Sequence, residues 1–444
     1  MTDKKLHTET QSISVKLLKF SMPLILSGIL QQLYNWADAF VVGNVNGELA
    51  LAAVGSTSSV INFYVLAITG FTLGLSILFA QKFGSGNTED YPRILSTFSC
   101  ILGAVFLVLS AAGICLTPQL LNLMNTTQDT LELAEDYLQI IFIGVPFLAV
   151  YNVYSAALRG LGDSRAPFFS IVLSSAVNVI LDILLVAVMH QNVVGAAAAT
   201  VISQIAMTLF LILYSMKKYP AMRFAPVRHM VDPAALREGM NLGIPPMIQS
   251  SITAFGSLIL QNFMNGFGSQ TVAAITTAYR VDSIVILPMV NLGSGISTLV
   301  AQSDGAGEKE QTKKIFHVGI VMMAALSLLL TCLVIPTGGS LIALFGISKE
   351  AVSIGHNFFT RLALFYVVYG LATSIRGYLE GMGDVVYSSI TGILALVSRI
   401  IASYAWVSFF GNMVIAYSEA FSWGILLVLY LLRLLYRNRS EKRT

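Results

Sequence analysis

Charge is what this sequence has least of. Only 11% of its 444 residues are Asp, Glu, Lys or Arg, against about 25% in a soluble domain. Hydrophobic residues make up 55%, which excludes a sizeable soluble domain. The net charge is +3 and the basic residues sit in short loops between apolar runs, which is no footprint for nucleic acid. Cysteine is scarce: Cys100, Cys115 and Cys332 all lie in apolar segments, so no disulfide framework is implied. No His/Cys cluster has metal-ligand spacing, no Walker loop occurs, and no nucleophile stands with a base. The GxG pieces have no strand before them and read as helix-turn glycines, not nucleotide loops. No catalytic residue, no cofactor and no ATP-driven pump is expected.

What is present is a series of long apolar runs. Crossing a bilayer takes about 20 apolar residues, and twelve runs qualify, the first over roughly 17–43. That first run is too long for a signal-peptide core and reads as a retained span. Lys and Arg crowd one set of loops, while the opposite set holds Lys349, with Arg280 and Arg361 near helix ends. The positive-inside rule then puts both termini in the cytoplasm of a cell membrane. The longest polar connection, 217–239, is basic and proline-bearing. It separates an N-terminal six-helix bundle, 1–216, from a C-terminal one, 240–444, that ends in a basic cytoplasmic tail.

The halves repeat each other. Leu158-Arg-Gly-Leu-Gly-Asp163 returns as Leu379-Glu-Gly-Met-Gly-Asp384, and Ala80-Gln-Lys-Phe-Gly-Ser-Gly86 as Ala301-Gln-Ser-Asp-Gly-Ala-Gly307, both 221 residues on. Pro23 matches Pro245 at 222. Six spans per half is an even number, so both halves enter the membrane from one side. The expected fold is an all-α membrane protein of twelve transmembrane helices, in two bundles related by a pseudo-two-fold axis along the membrane normal. Two such bundles leave a central cleft that can open to either side.

Between Lys19 and Glu48 the one charged residue is Asp38. An ionised Asp inside a span costs about 2.5–3.5 kcal/mol on insertion scales and usually marks ion or proton handling. Asn178 and Asp182 stand four apart and share a helix face. At 1.5 Å per residue Asp182 lies about 24 Å along its helix, level with Asp38 and with Thr200 on the sixth. Asn152 on the fourth span reaches toward Asn178. Two carboxyls, an amide and a hydroxyl suit a hard cation such as Na⁺, or a shared proton. A structural polar cluster gluing helices is the bland alternative. Tyr34 and Trp36 flank Asp38 and, with Gln249, are candidates for contact with an aromatic or cationic substrate.

In the second half, Arg399 stands where the first half has Asn178, and Leu260 where it has Asp38. Arg399 lies about 22 Å from the turn at Asp384, and Glu419 about 12 Å from the opposite turn near Gly411. The depths coincide, so the two are expected to pair. Arg280 and Asp282 read as anchors near the outer mouth of the eighth span.

Pro23, Asp38, the turns at 160–163 and 381–384, Asn178-Val-Ile-Leu-Asp182, Gly195-Ala-Ala-Ala-Ala-Thr200 and Gly305-Ala-Gly307 together resemble the multidrug and toxic compound extrusion (MATE) family. The resemblance runs nearly the whole chain. It implies a secondary antiporter that exports cationic or amphipathic small molecules against inward H⁺ or Na⁺, with a cation site at Asp38, Asn178, Asp182 and Thr200. One branch of that family carries an acid in the seventh span. Here Gln249 is the nearest polar group, so coupling is expected to rest on the first half and to use H⁺. The expected partners are small molecules and the lipid bilayer, with the chain a monomer. A lipid-linked oligosaccharide flippase of the same superfamily is the alternative, and would require a basic cleft. An intramembrane enzyme would require a catalytic pair, which Asp38 and Asp182 formally supply.

Overall fold

In hydrocarbon a backbone N–H or C=O has no water to bond, so apolar runs wind into helices that satisfy their own backbone. The computed structural model describes residues 2–87, 89–222 and 231–441, and among these every regular element is helical. The helices are α1 (Thr2–Gly84), α2 (Asp90–Leu123), α3 (Gln128–Gly160), α4 (Arg165–Leu181), α5 (Asn192–Lys218), α6 (Pro233–Asn265), α7 (Ser269–Val285), α8 (Leu287–Gly305), α9 (Lys309–Ala343), α10 (Lys349–Ala363), α11 (Tyr366–Gly381), α12 (Val385–Phe410) and α13 (Val414–Glu441). A π-helical segment, Asp182–Val188, continues α4. Part of the basic connection, 223–230, lies outside the described residues, as do Lys442 and Arg443 of the tail.

Among the described residues eight helical stretches are long and apolar enough to cross a membrane, or nine if α10 and α11 form one bent span. The protein is multi-pass. Three of those stretches are interrupted, one of them at Ile286 between α7 and α8. Within α1, Gly47 sits at φ 84°, off the helical path, and Gly411–Met413 separates α12 from α13.

The sequence repeat is a repeat of geometry. In the first turn motif Gly162 has φ 85°, and the Asp163 N–H donates to the Leu158 carbonyl at 2.9 Å. In the second, Gly383 has φ 82°, and the Asp384 N–H donates to Leu379, again at 2.9 Å. This is a glycine-terminated helix end, and at that φ a Cβ would be strained. Close packing repeats too. A Cβ on Gly160 would strike Phe79, and one on Gly381 would strike Val300, the residue 221 later. Such glycines let membrane helices approach to backbone distance.

The chain forms two compact units that do not follow the chain-order division at 217–239. One unit is Leu26–Met247. The other joins Met1–Ile25 to Ile248–Thr444. Each takes in the opening segment of the other half, and the changeovers fall just after Pro23 and just after Pro245-Pro246. Proline removes a ladder hydrogen bond and bends a helix, so the helix can change partners there. Inside the Leu26–Met247 unit, Gly74 lies against the Leu242 carbonyl of α6. Inside the other, Gly295 lies against Phe20 and Ser21 of α1, the same contact between equivalent positions.

Each Gly-Asp turn is tied to the last helix of its own half. Asp163 is buried; it accepts from Tyr219 at 2.7 Å and from Tyr214 and Lys218 at 3.0 Å. Asp384 accepts from Arg433 at 2.6 and 3.1 Å, with Arg437 at 3.7 Å. Burial alone would raise the Asp163 carboxyl, but the bonds from Tyr219, Lys218, Ala166 and Tyr214 outweigh it and hold the group below its ordinary value. A carboxyl lowered by folding stabilises above the ordinary carboxylate range, and that stability is lost as pH falls through the depressed value. Asp163→Asn is therefore expected to cost about 2 kcal/mol at neutral pH, read as a lower melting temperature in detergent. The gap between wild type and variant should close as pH falls below about 4; a gap independent of pH would contradict this.

Candidate functional site

The carboxyls expected to act together are together. Asp38 on α1 and Asp182 lie within hydrogen-bonding reach of each other. Asp182 opens the π-helical segment, and Asn178 is one turn earlier on the same face of α4. Single π turns inside α-helices are rare and recur at functional sites. Here the wider turn starts at the acid itself. Asn178 and Asp182 are fully buried, at 0% and 1% exposure, and Thr200 of α5 is buried as well.

These groups are not satisfied by the protein. Asp38 Oδ1, Asp182 Oδ1 and both polar atoms of the Asn178 amide are buried without a hydrogen-bond partner. A buried polar atom left unpaired costs about 1–3 kcal/mol. Three of these four atoms are oxygens that accept, two of them on the neighbouring carboxyls, and the fourth, the Asn178 amide nitrogen, is a donor. Oxygen is the atom type that suits H⁺ or a hard cation better than a soft metal. No group of three or more His, Cys, Asp or Glu among the described residues could hold a metal by itself.

Other expected site residues fall less closely. Asn152 is buried on α3, but its Nδ2 donates to the Leu148 carbonyl of its own helix at 2.8 Å, and it makes no bond to Asn178. Tyr34 and Trp36 are half-buried on α1; the Tyr34 hydroxyl feels both Asp38 and Asp182. Gln249 belongs to the other unit and lays its amide on Gly392 of α12, where a Cβ would collide with it. Two tyrosines were not anticipated. Tyr137 of α3 is buried within the field of Asp38 and Asp182. Tyr64 of α1 is buried against Phe142, with its hydroxyl unpartnered. A lone Tyr in an apolar run carries no periodic signal that separates it from an interface anchor.

In the other unit, Arg399 Nη2 donates to Glu419 Oε2 at 3.0 Å and to the Tyr279 hydroxyl at 2.7 Å, while Tyr279 donates to Glu419 at 2.6 Å. Asp282 is not the interfacial anchor that its sequence position suggests. It is buried, and the Tyr366 hydroxyl donates to it. The reason is the helix start: α7 begins at Ser269, which sinks Asp282 about 20 Å along its axis.

Two outcomes test this geometry. Two carboxyls in contact repel unless a cation or proton is shared, so Asp182→Asn is expected to raise the melting temperature by a few degrees at neutral pH. A fall would mark the cluster as helix glue. Arg399→Ala leaves Glu419 buried and uncompensated, which costs about 3 kcal/mol. Adding Glu419→Ala should restore most of the lost yield and melting temperature. A double variant worse than either single one would refute that pairing.

Comparisons with known proteins agree with the repeat. The MatE family profile matches twice, over residues 23–184 and 245–405. A probable multidrug resistance protein, YoeA of Bacillus subtilis, is 29% identical over 96% of this chain and 94% of its own. The multidrug export protein MepA of Staphylococcus haemolyticus is 24% identical over 86% of this chain and 85% of its own. An outward-facing multidrug resistance MATE transporter of the MOP superfamily superposes with a TM-score of 0.90 at 20% identity, over 97% of each chain, and so shares the fold. With both halves matched by the family profile and the fold shared end to end, the chain belongs to the multidrug and toxic compound extrusion (MATE) family.

Proposed function

We propose that this protein is a secondary active antiporter that exports cationic or amphipathic small molecules across the cell membrane, driven by inward H⁺. The observation that carries the reading is the contact between Asp38 and Asp182, with unpartnered polar atoms around it. Relatives with names such as multidrug resistance protein and multidrug export protein support the substrate class. In this reading α1 and the stretch from α12 to α13 each supply two spans, α6 supplies one, and α7 with α8 and α10 with α11 form one broken span each. That makes twelve, with both termini cytoplasmic, acting as a monomer. A flippase for anionic lipid-linked sugars would call for deep uncompensated cations, and Arg399 is neutralised by Glu419.

The mechanism follows from the pair. With both carboxyls ionised, Asp38 attracts a cationic substrate. A proton shared between Asp38 and Asp182 removes that attraction and the repulsion between them together. α1 then shifts toward its apolar neighbours, bending near Pro23, where a ladder bond is already absent. The side-chain oxygens of Asn178 and Thr200, with those of the pair, would hold Na⁺ if it replaced the proton.

The test is efflux from proteoliposomes. Transport is expected under an imposed pH gradient without Na⁺. Transport only under a Na⁺ gradient would overturn the proton assignment. Losing a charged hydrogen-bond partner costs about 1.5–3 kcal/mol, so Asp38→Asn and Asp182→Asn should each reduce efflux about tenfold or more at matched expression. Wild-type efflux in either would remove the site.

A further inference from the structure

The unit containing Ile248–Thr444 holds a second polar site that ion coupling leaves unused. A cavity of about 320 Å³ lies among α6, α7, α12 and α13. That is the small end of ligand pockets. Leu260 and Arg399 line it, and these stand where the first half has Asp38 and Asn178. The residue types at these two equivalent positions differ between the halves.

Three charged side chains face the cavity: Arg399, Glu419 and Asp282. Glu419 is engaged by Arg399 and Tyr279. Neither of the other two is exhausted. Among the described residues Arg399 hydrogen-bonds through Nη2 alone, and its Nε is buried without a partner. The Asp282 side chain has one hydrogen bond, from Tyr366 to Oδ1. A guanidinium with spare N–H donors and a carboxylate with a spare oxygen thus share one small cavity. The rest of its wall includes Leu260, Met264, Ile286 and Ile415, which suit an apolar body.

We propose that this cavity binds a small amphipathic zwitterion, with its carboxylate on the free N–H groups of Arg399 and its ammonium on Asp282. A simple cation would leave the Nη1 donors of Arg399 without an acceptor. A simple anion would meet Asp282, the acid that Arg399 does not pair, with nothing to offset it. Only a ligand carrying both charges satisfies both walls. The site shares no residue with the Asp38–Asp182 pair, so it stands or falls independently of the coupling ion.

The experiment is equilibrium binding to the full-length protein in lipid nanodiscs, without any gradient. The probes are radiolabelled tryptophan, tryptophan methyl ester and indole-3-propionate: zwitterion, cation and anion on one ring. Tryptophan is expected to bind saturably, about tenfold or more tighter than either analogue, since each lacks one charged partner. Arg399→Gln should abolish the preference of the site for tryptophan over its ester, and Asp282→Asn its preference over the acid. Ser257→Trp, at a more exposed position of the lining, should block all three probes while preserving the melting temperature. Ester binding equal to tryptophan, tryptophan binding that survives Ser257→Trp, or no saturable binding of tryptophan would each overturn the proposal.

Discussion

A backbone in hydrocarbon must bond to itself, and wherever it stops doing so as a regular helix something local has to compensate. In this protein the chemistry collects at those interruptions. Asp182 stands at the first residue of the π-helical segment. Asp282 sits in the last turn of α7, just before the break at Ile286, and its partner Tyr366 opens α11 just after the break that follows α10. α10 and α11 bend by 49° there. The Tyr366–Asp282 hydrogen bond thus ties the residues flanking two such breaks to each other. The regular helix gives the scaffold, and its departures give depth-specific places for polar groups.

The two halves show what duplication holds fixed and what it releases. Turn geometry and glycine contacts match to within a few degrees of φ and at the same spacing. These depend on sterics, where an added Cβ has nowhere to go. Polar content is free to diverge because each pocket only has to balance its own charge. One half keeps two acids in contact and an amide with no partner. The other sets a guanidinium beside two acids and a tyrosine.

Much of this was legible in the sequence, because apolar runs and repeated turns are strong signals and helix rise converts residue count to depth. Counting inward from two turns set Arg399 and Glu419 level, and they lie 3.0 Å apart. The reading of Asp282 as an anchor at the outer mouth failed because its depth depends on where α7 starts, and the start at Ser269 lies in a polar stretch that hydropathy does not sharpen. Tyr137 was silent for another reason. A tyrosine in an apolar run is as apolar as its neighbours until its hydroxyl is seen beside an acid. The changeover of helix segments between units was also invisible, since an apolar face does not say which neighbour it meets.

That changeover has a consequence for cutting the chain. The first 25 residues belong with the second half of the chain, and 233–247 with the first. A cut in the basic connection before Pro233 would leave 233–247 on one fragment and carry 1–25 off on the other. Neither fragment would then hold a complete unit.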